Sequence, residues 1–472
     1  MPLSIQRRHA EYERWRESAE FLWLSYVGGR EYLESDALDQ YPRELEVIYQ
    51  SRRERSYYLN FTAGVVDTYI SSVFRRDPVR MPEEASEEAA EEAGEEAAIE
   101  LSGALAGFVE DATGNGISLT NFMRDVATAA LATERAFVVV DVDSGGNPYA
   151  HQLHPANLLD YSAPDGEFLW ALTAEKHVED ADPFSDRVEE ERYRLWTADE
   201  WVVFDSQGQR VDEGENRAGR VPIVYVPGER ANLAIYDIAQ INKRIYNLCS
   251  QLDEILINNT FPQRYMQGEG VEDEDGEAIS PDVSPITVGT ARVLELPMES
   301  RIPPGFLAPP DGPAKLHIEE RERLIESIYS LAGLERRDPD SQTAQSGVAK
   351  AYDFRETNER LVSLAQTVES AELEIFSLVS DYGIPAEVNV TYQKDFHVED
   401  FTVKLDNYLK LSGAQLPAEV KRRAAMEVSM SIAEEATEEE RRALRGAVES
   451  MSDAELSAGR RRSVLDELNA PE

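Results

Sequence analysis

Apolar side chains recur at helical spacing through the middle of the chain. One run alternates steps of three and four residues, which places its members on a narrow seam of a long helix: Ile238, Ile241, Ile245, Leu248, Leu252 and Ile255. We predict this helix over residues 232–259, with a length of about 40 Å. A second helix over residues 314–334 carries Leu316, Leu324, Ile328 and Leu331 on one face. A strand-like alternation over 286–296 lies between the helices. The pattern predicts a helical hairpin with a small β-containing tip.

The chain on either side of the hairpin predicts an α+β fold. Helical spacing dominates residues 5–75, and the β-branched run over 136–142 (AFVVVDV) is typical of a strand buried on both faces. Several alternating stretches follow up to residue 226 and predict a mostly antiparallel sheet. A third long helix is expected over 346–382, with Leu361, Leu364, Val368, Ala371, Ile375 and Leu378 on its seam. The strand expected over 387–393 returns to the first sheet, and short helices complete the chain.

The net charge of the chain limits the partners that it can bind. The sequence holds 47 basic and 91 acidic residues, for a net charge of −44. Adaptation to a high-salt cytoplasm is the interpretation we favour, since salt screens repulsion among dense carboxylates. A second interpretation, compatible with the first, is that the acids repel DNA. Tight, sequence-reading binding to nucleic acid is disfavoured because it requires a basic face.

Motifs for catalysis are scarce, and we expect no enzyme. The sequence lacks a P-loop and a Gly-x-Ser-x-Gly motif. Its single cysteine, Cys249, lies on the first hairpin helix beside Leu248 and Leu252, where a packed apolar role is expected. Asp141 and Asp143, followed by His151 and His154, leave a metal-dependent hydrolase as an alternative. Turn formation after the strand is the favoured interpretation of these residues. We expect no metal, cofactor or membrane span.

The order of short motifs resembles the portal proteins of tailed double-stranded DNA viruses, in particular a siphovirus-type branch. The resemblance covers residues 9–395. It rests on short segments at matching positions along the chain: 9–15 (HAEYERW), 57–62 (YYLNFT), 73–78 (VFRRDP), 116–119 (GISL), 137–141 (FVVVD), 222–226 (PIVYV), Phe261-Pro262 and 343–349 (TAQSGVA). The high acidity departs from typical members and is consistent with a virus of a halophilic host.

The resemblance implies a division of the chain into the parts of a portal subunit. The wing is residues 1–231, the first stem helix 232–259, the clip 260–313 and the second stem helix 314–334. A tunnel loop over 335–345, a wing helix with a returning strand over 346–400 and a helical crown over 401–472 complete it. The tunnel loop would meet the DNA channel through Arg336, Arg337, Asp338, Asp340, Ser341, Gln342 and Thr343. The clip would dock partners through Glu269, Glu272, Asp273, Glu274 and Asp275.

The resemblance also implies a function and a set of partners. Portal subunits form a homo-oligomeric ring, usually a dodecamer, at one vertex of the virion capsid, after assembly in the host cytoplasm. Double-stranded DNA passes through the ring without sequence specificity during packaging and ejection. Terminase, a head-completion adaptor and the major capsid protein bind it as the head-tail connector. The seam of the stem helices is expected to contact neighbouring subunits. A helical scaffold protein is a further alternative.

The charge leads to a prediction about stability. We expect the thermal midpoint of unfolding to rise between low salt and molar KCl, because at 1 M salt the screening length falls to about 3 Å and self-repulsion is suppressed. Circular dichroism melting across a KCl series measures this. A midpoint that is flat or falls with salt would contradict salt adaptation.

Overall fold

The structure is a computed structural model that describes residues 5–82, 103–143, 145–179, 188–260, 263–268, 293–297, 305–307, 312–334, 347–394, 396, 401–412, 414, 416–432, 444 and 446–451. Its N-terminal part is helical, as the apolar spacing predicted. Asn60 caps the fourth helix, because its side chain accepts a hydrogen bond from the amide of Ala63. The helices are α1 (Tyr12–Val27), α2 (Gly29–Glu34), α3 (Glu46–Arg55) and α4 (Phe61–Val73).

Two sheets and two further helices follow, so the chain has the predicted α+β class. The elements between residues 79 and 162 are β1 (Val79–Pro82), α5 (Gly103–Glu110), α6 (Leu119–Thr133), β2 (Arg135–Val142), β3 (Pro148–Leu153) and β4 (Leu158–Ser162). The next strands are β5 (Trp170–Glu179), β6 (Val188–Thr197), β7 (Glu200–Phe204), β8 (Arg210–Glu215) and β9 (Ile223–Pro227). The strand order is β3-β2-β9 in the smaller sheet and β4-β5-β6-β7-β8 in the larger, with antiparallel pairing throughout.

The central strand β2 is covered on both sides, which explains its continuous apolar sequence. Val138 and Val140 belong to the main core with α6 and the long helices, whereas Phe137 and Val139 pack with residues of the five-stranded sheet. Alternate side chains therefore enter two different cores. Strands β4 and β8 were not predicted. β8 is exposed at five of its six residues and carries three acids, so it lacks the apolar alternation that marks a strand.

The hairpin forms as predicted. Its first helix is α7 (Ile235–Thr260), 26 residues and about 39 Å long, which begins three residues later than expected. A left-handed residue, Asn232, separates it from the preceding 3-10 turn. The strands β10 (Gln263–Gly268), β11 (Val293–Pro297) and β12 (Gly305–Leu307) form a three-stranded sheet in the order β11-β10-β12. The hairpin returns through α8 (Gly312–Ala332), which packs along α7.

Gly228 fixes where the hairpin leaves the sheet. A Cβ atom at this position would lie 1.7 Å from the carbonyl oxygen of Ala130 in α6, so only glycine permits the backbone to approach this closely. The 3-10 turn that begins at Gly228 therefore packs directly against the end of α6. Because α7 begins shortly after this turn, the contact fixes the position of its first residues.

The third long helix, α9 (Gly347–Asp381), runs across the core for 35 residues. Each predicted seam residue from Leu361 to Leu378 is buried. The returning strand β13 (Val388–Thr391) also exists, but its predicted partner was wrong. It pairs with β1 in a separate two-stranded sheet, not with the first domain's sheet. The chain continues through α10 (Phe401–Ser412) and α11 (Ala418–Ile432).

Candidate assembly surface on the helical hairpin

The predicted seam of α7 is a core element of its own chain. Ile238, Ile245, Leu248 and Leu252 are buried, and Ile241 and Ile255 are partly buried. The cover comes from α1, α3, α4, α6 and α8 of the same chain. The expectation that a neighbouring subunit covers this seam was therefore wrong for its buried members. Sequence spacing identified the apolar face correctly but gave no information about which elements pack on it.

Cys249 lies on the buried side of α7, as predicted. Burial raises the pKa of its thiol, which keeps the side chain protonated and unreactive. The interpretation of Cys249 as a small apolar core residue agrees with this environment.

Polar side chains on α7 attach the helix to the N-terminal segment. The amide oxygen of Asn242 accepts hydrogen bonds from the hydroxyls of Tyr58 and Thr62 and from two backbone amides at the start of α4, at 2.9 to 3.1 Å. Its amide nitrogen donates to the carbonyl of Leu59 at 2.7 Å. The oxygen and the nitrogen of this buried amide group are thus both hydrogen-bonded to one short stretch of the chain, residues 58–62. The sequence gives no signal for this contact, because Asn242 is one of several polar residues between the seam positions of α7.

Asn247 and Ser250 extend the attachment along α7. Asn247 accepts a hydrogen bond from the amide of Asp39 at 2.8 Å and donates to the carbonyl of Ala37 at 3.0 Å. The hydroxyl of Ser250 accepts from the Arg52 guanidinium at 3.0 Å. The root of the hairpin is therefore fixed in rotation as well as in position, because each bond requires one orientation of α7.

Arg52 is the centre of a buried ion-pair network on α3. Its guanidinium makes two hydrogen bonds of 2.9 Å to the Glu44 carboxylate and one of 2.7 Å to the carbonyl of Asp39. It also lies 4.0 Å from the centre of the Tyr41 ring. The hydrogen bonds from Arg52 lower the pKa of Glu44. Sequence reasoning missed this pair, since Arg52 is one of several arginines in a charged helix.

Four large apolar side chains towards the far end of the hairpin are exposed. Leu256 and Ile257 on α7 and Leu316 and Ile318 on α8 are exposed, Leu316 to 66% and Ile318 to 41%. The sequence places Leu316 on one face of α8 with Leu324, Ile328 and Leu331, and of these four Leu316 is the exposed one. Leu316 lies beyond the part of the hairpin that the core covers. We call these four residues the distal hairpin patch.

The patch faces more than one direction. Leu316 and Ile318 are two positions apart on α8, so their side chains point about 200° apart around the helix axis. Leu256 and Ile257 differ by about 100° in the same way. Large exposed apolar side chains grouped on one element mark contact surfaces in soluble proteins. The hairpin thus offers apolar contacts on two opposite faces.

The remaining predicted sites fall largely outside the described residues. These are the tunnel-loop residues Arg336, Arg337, Asp338, Asp340, Ser341, Gln342 and Thr343, and the clip residues Glu269, Glu272, Asp273, Glu274 and Asp275. Their assigned roles remain predictions. The described strands β10, β11 and β12 show a β-sheet at the tip, which agrees with the predicted β-containing character of the clip.

Asp141 and Asp143 do not form a shared site with the two histidines. Asp143 accepts hydrogen bonds from the amides of Gly145 and Asn147, each at 2.8 Å, and from the Asn147 side chain at 3.0 Å. These bonds lower the pKa of Asp143. The side chain therefore closes the turn between β2 and β3, as the favoured interpretation stated. Within the described ranges, no three His, Cys, Asp or Glu side chains are grouped so as to hold a metal ion.

Neither the profiles of known protein families nor the curated protein sequences match this chain. The described part of the chain contains no helix with the length and apolar composition needed to cross a bilayer.

The buried pair leads to a prediction about acid stability. Glu44 has a lowered pKa in the folded state, so its contribution is present above its unfolded pKa of about 4.3 and is lost as the pH falls through the folded value. We expect Glu44→Gln to lower the thermal midpoint at pH 7 and to differ less from the parent below about pH 4.

Removing the other partner of the pair, in Arg52→Met, should lower the free energy of unfolding by about 3 to 5 kcal/mol.

Melting curves at fixed ionic strength measure the Glu44 effect. Glu17→Gln, at an exposed position of α1, is the matched control and should follow the parent at both pH values. A Glu44→Gln deficit of equal size at pH 7 and pH 3.5 would contradict an electrostatic role.

Proposed function

We propose that this chain is the subunit of a ring-shaped portal of a tailed double-stranded DNA virus. The observation that carries the proposal is the hairpin of α7 and α8, which is fixed at its root and apolar on opposite faces at its far end. A twofold dimer needs one self-complementary patch, whereas a closed ring needs two different surfaces on each subunit. Contacts on both sides of one projecting element are therefore suited to a ring of hairpins standing side by side.

The order of parts supports the same proposal. A mixed helical and sheet region precedes the hairpin, a small sheet lies at its tip, and a 35-residue helix follows. This is the order that the resemblance implies for wing, stem, clip and wing helix. Under this assignment the tip is the docking site for terminase and the head-completion adaptor, and the capsid protein surrounds the ring.

The charge supports a passive channel for DNA. A chain with a net charge of −44 lacks the basic surface that tight binding to phosphates requires. DNA in a ring of such subunits moves without strong adhesion to the wall, whatever its sequence. The high acidity is compatible both with weak adhesion of DNA to the channel wall and with adaptation to high salt.

The assembly surface gives the test of this proposal. Placing charges on the distal hairpin patch, in Leu316→Asp with Ile318→Asp, should abolish ring formation while the chain keeps its fold, because both side chains are exposed in the single chain. Light scattering coupled to size exclusion measures the assembly, and circular dichroism measures the fold.

Two control variants separate assembly from folding. Leu373→Asp, at an exposed apolar position of α9, should assemble like the parent. Ile245→Asp places a charge in the core of the single chain and should prevent folding altogether. A Leu316→Asp, Ile318→Asp protein that assembles as well as the parent would remove the hairpin from the assembly surface and with it the main support for a portal.

A further inference from the structure

The turn between β3 and β4 connects the smaller sheet to the larger one, and a histidine caps it. The 3-10 turn Pro155–Asn157 follows His154, and we call these four residues the capped turn. Nδ1 of His154 accepts a hydrogen bond from the backbone amide of Ala156 at 3.2 Å. A backbone amide can only donate, so this ring nitrogen carries a lone pair and the imidazole is neutral. His154 therefore caps the turn only while its Nδ1 is unprotonated.

Helix α1 packs on the capped turn and joins it to the hairpin. The hydroxyl of Tyr12 donates a hydrogen bond of 2.7 Å to a carbonyl of the turn. The rings of Trp23 and His154 meet edge to face, with 6.2 Å between their centres. On its other side α1 contacts the first turn of α7, where the ring of Phe21 lies 5.8 Å from that of Tyr236. The contact of α1 with the capped turn therefore links the sheets to the root of the hairpin.

The surroundings of His154 disfavour its charged form. Burial lowers the pKa of the imidazole, and the charge of Glu20 on α1 acts in the opposite direction to a smaller extent. The Glu20 carboxylate is already paired with the Arg16 guanidinium at 3.0 Å. Tyr12, which also faces the turn, has a pKa raised by burial and stays neutral. The turn also contacts β2 and β5, and within the described part of the chain no charged group of these strands changes the pKa of His154.

We propose that His154 is a pH-sensitive switch that releases α1 from the capped turn when its imidazole takes up a proton. The proton comes from solvent and places an N–H group at Nδ1, opposite the amide of Ala156. Two donors then face each other, and the hydrogen bond that caps the turn is lost. The carbonyl that accepts from Tyr12 belongs to the same turn, so the docking of α1 weakens with it. The switch lies within one chain, and its outcome does not decide whether the chain forms a ring.

The direction and the limit of the effect follow from linkage. The pKa of the docked imidazole is lowered from its usual value of about 6.5. The contribution of His154 to docking is therefore complete above about pH 6.5 and is lost as the pH falls through the docked value. The equilibrium constant for release of α1 rises about tenfold for each pH unit that separates the two pKa values. Below the docked value it rises no further.

Hydrogen exchange of the full chain, followed by mass spectrometry, tests the switch. The protein is kept in molar KCl and compared between about pH 7.5 and about pH 5, with rates corrected for the intrinsic effect of pH. We expect peptides from α1 and from residues 154–159 to lose protection at the lower pH. His154→Asn should keep that protection, because an asparagine oxygen accepts from the same amide and does not titrate. Peptides from the buried seam of α9, residues 361–378, should stay protected in both proteins.

Three further variants make the result decisive. His154→Ala has no acceptor at any pH and should show weak protection of α1 at both pH values. His177→Asn, at an exposed position of β5, should behave like the parent. His9→Asn replaces the histidine before α1, whose Nδ1 accepts from the amide of Glu11 at 3.3 Å, and should keep the pH dependence. The proposal is overturned if His154→Asn loses protection as the parent does, if His9→Asn alone removes the pH dependence, or if α9 loses protection in step with α1.

Discussion

A helix of about 39 Å can project from a domain only if its root resists rotation and bending. Hydrophobic packing alone is non-directional and permits a helix to slide or turn. The root of α7 is instead held by hydrogen bonds that Asn242, Asn247 and Ser250 accept from the N-terminal segment. These groups are buried, so breaking any one bond leaves a polar atom without water. The direction of the hairpin, and the position of α3 beside it, depend on this attachment.

The distribution of apolar and charged surface follows the same division between root and tip. Near the root, the hairpin seam is enclosed by helices of its own chain, and Ile238, Ile245, Leu248 and Leu252 are buried there. At the far end the same helices extend past the core and expose Leu256, Ile257, Leu316 and Ile318. In a chain with a net charge of −44, association brings like charges together, so these contacts must offset repulsion. Salt in the molar range reduces that repulsion and favours assembly.

Sequence periodicity predicted the elements better than their partners. The seam of α9 was correct at each position because a helix buried between a sheet and other helices shows its apolar face plainly. The seam of α7 was equally clear, yet its cover by α1, α3 and α4 depends on contacts between segments that lie more than 160 residues apart in the sequence. Strand β13 was found, but its pairing with β1 was not, because alternation does not encode a partner. The Arg52–Glu44 pair and the bonds of Asn242 were missed because a polar residue in a polar segment gives no sign of burial.

The central claim is that copies of this chain assemble side by side through the hairpin into a closed ring. Negative-stain electron microscopy of the purified protein in molar KCl tests it most directly. The account predicts end-on views of rings with a central hole and side views with a narrow stem below a wider body. Single particles of one subunit, or twofold dimers without a hole, at all salt concentrations would contradict it.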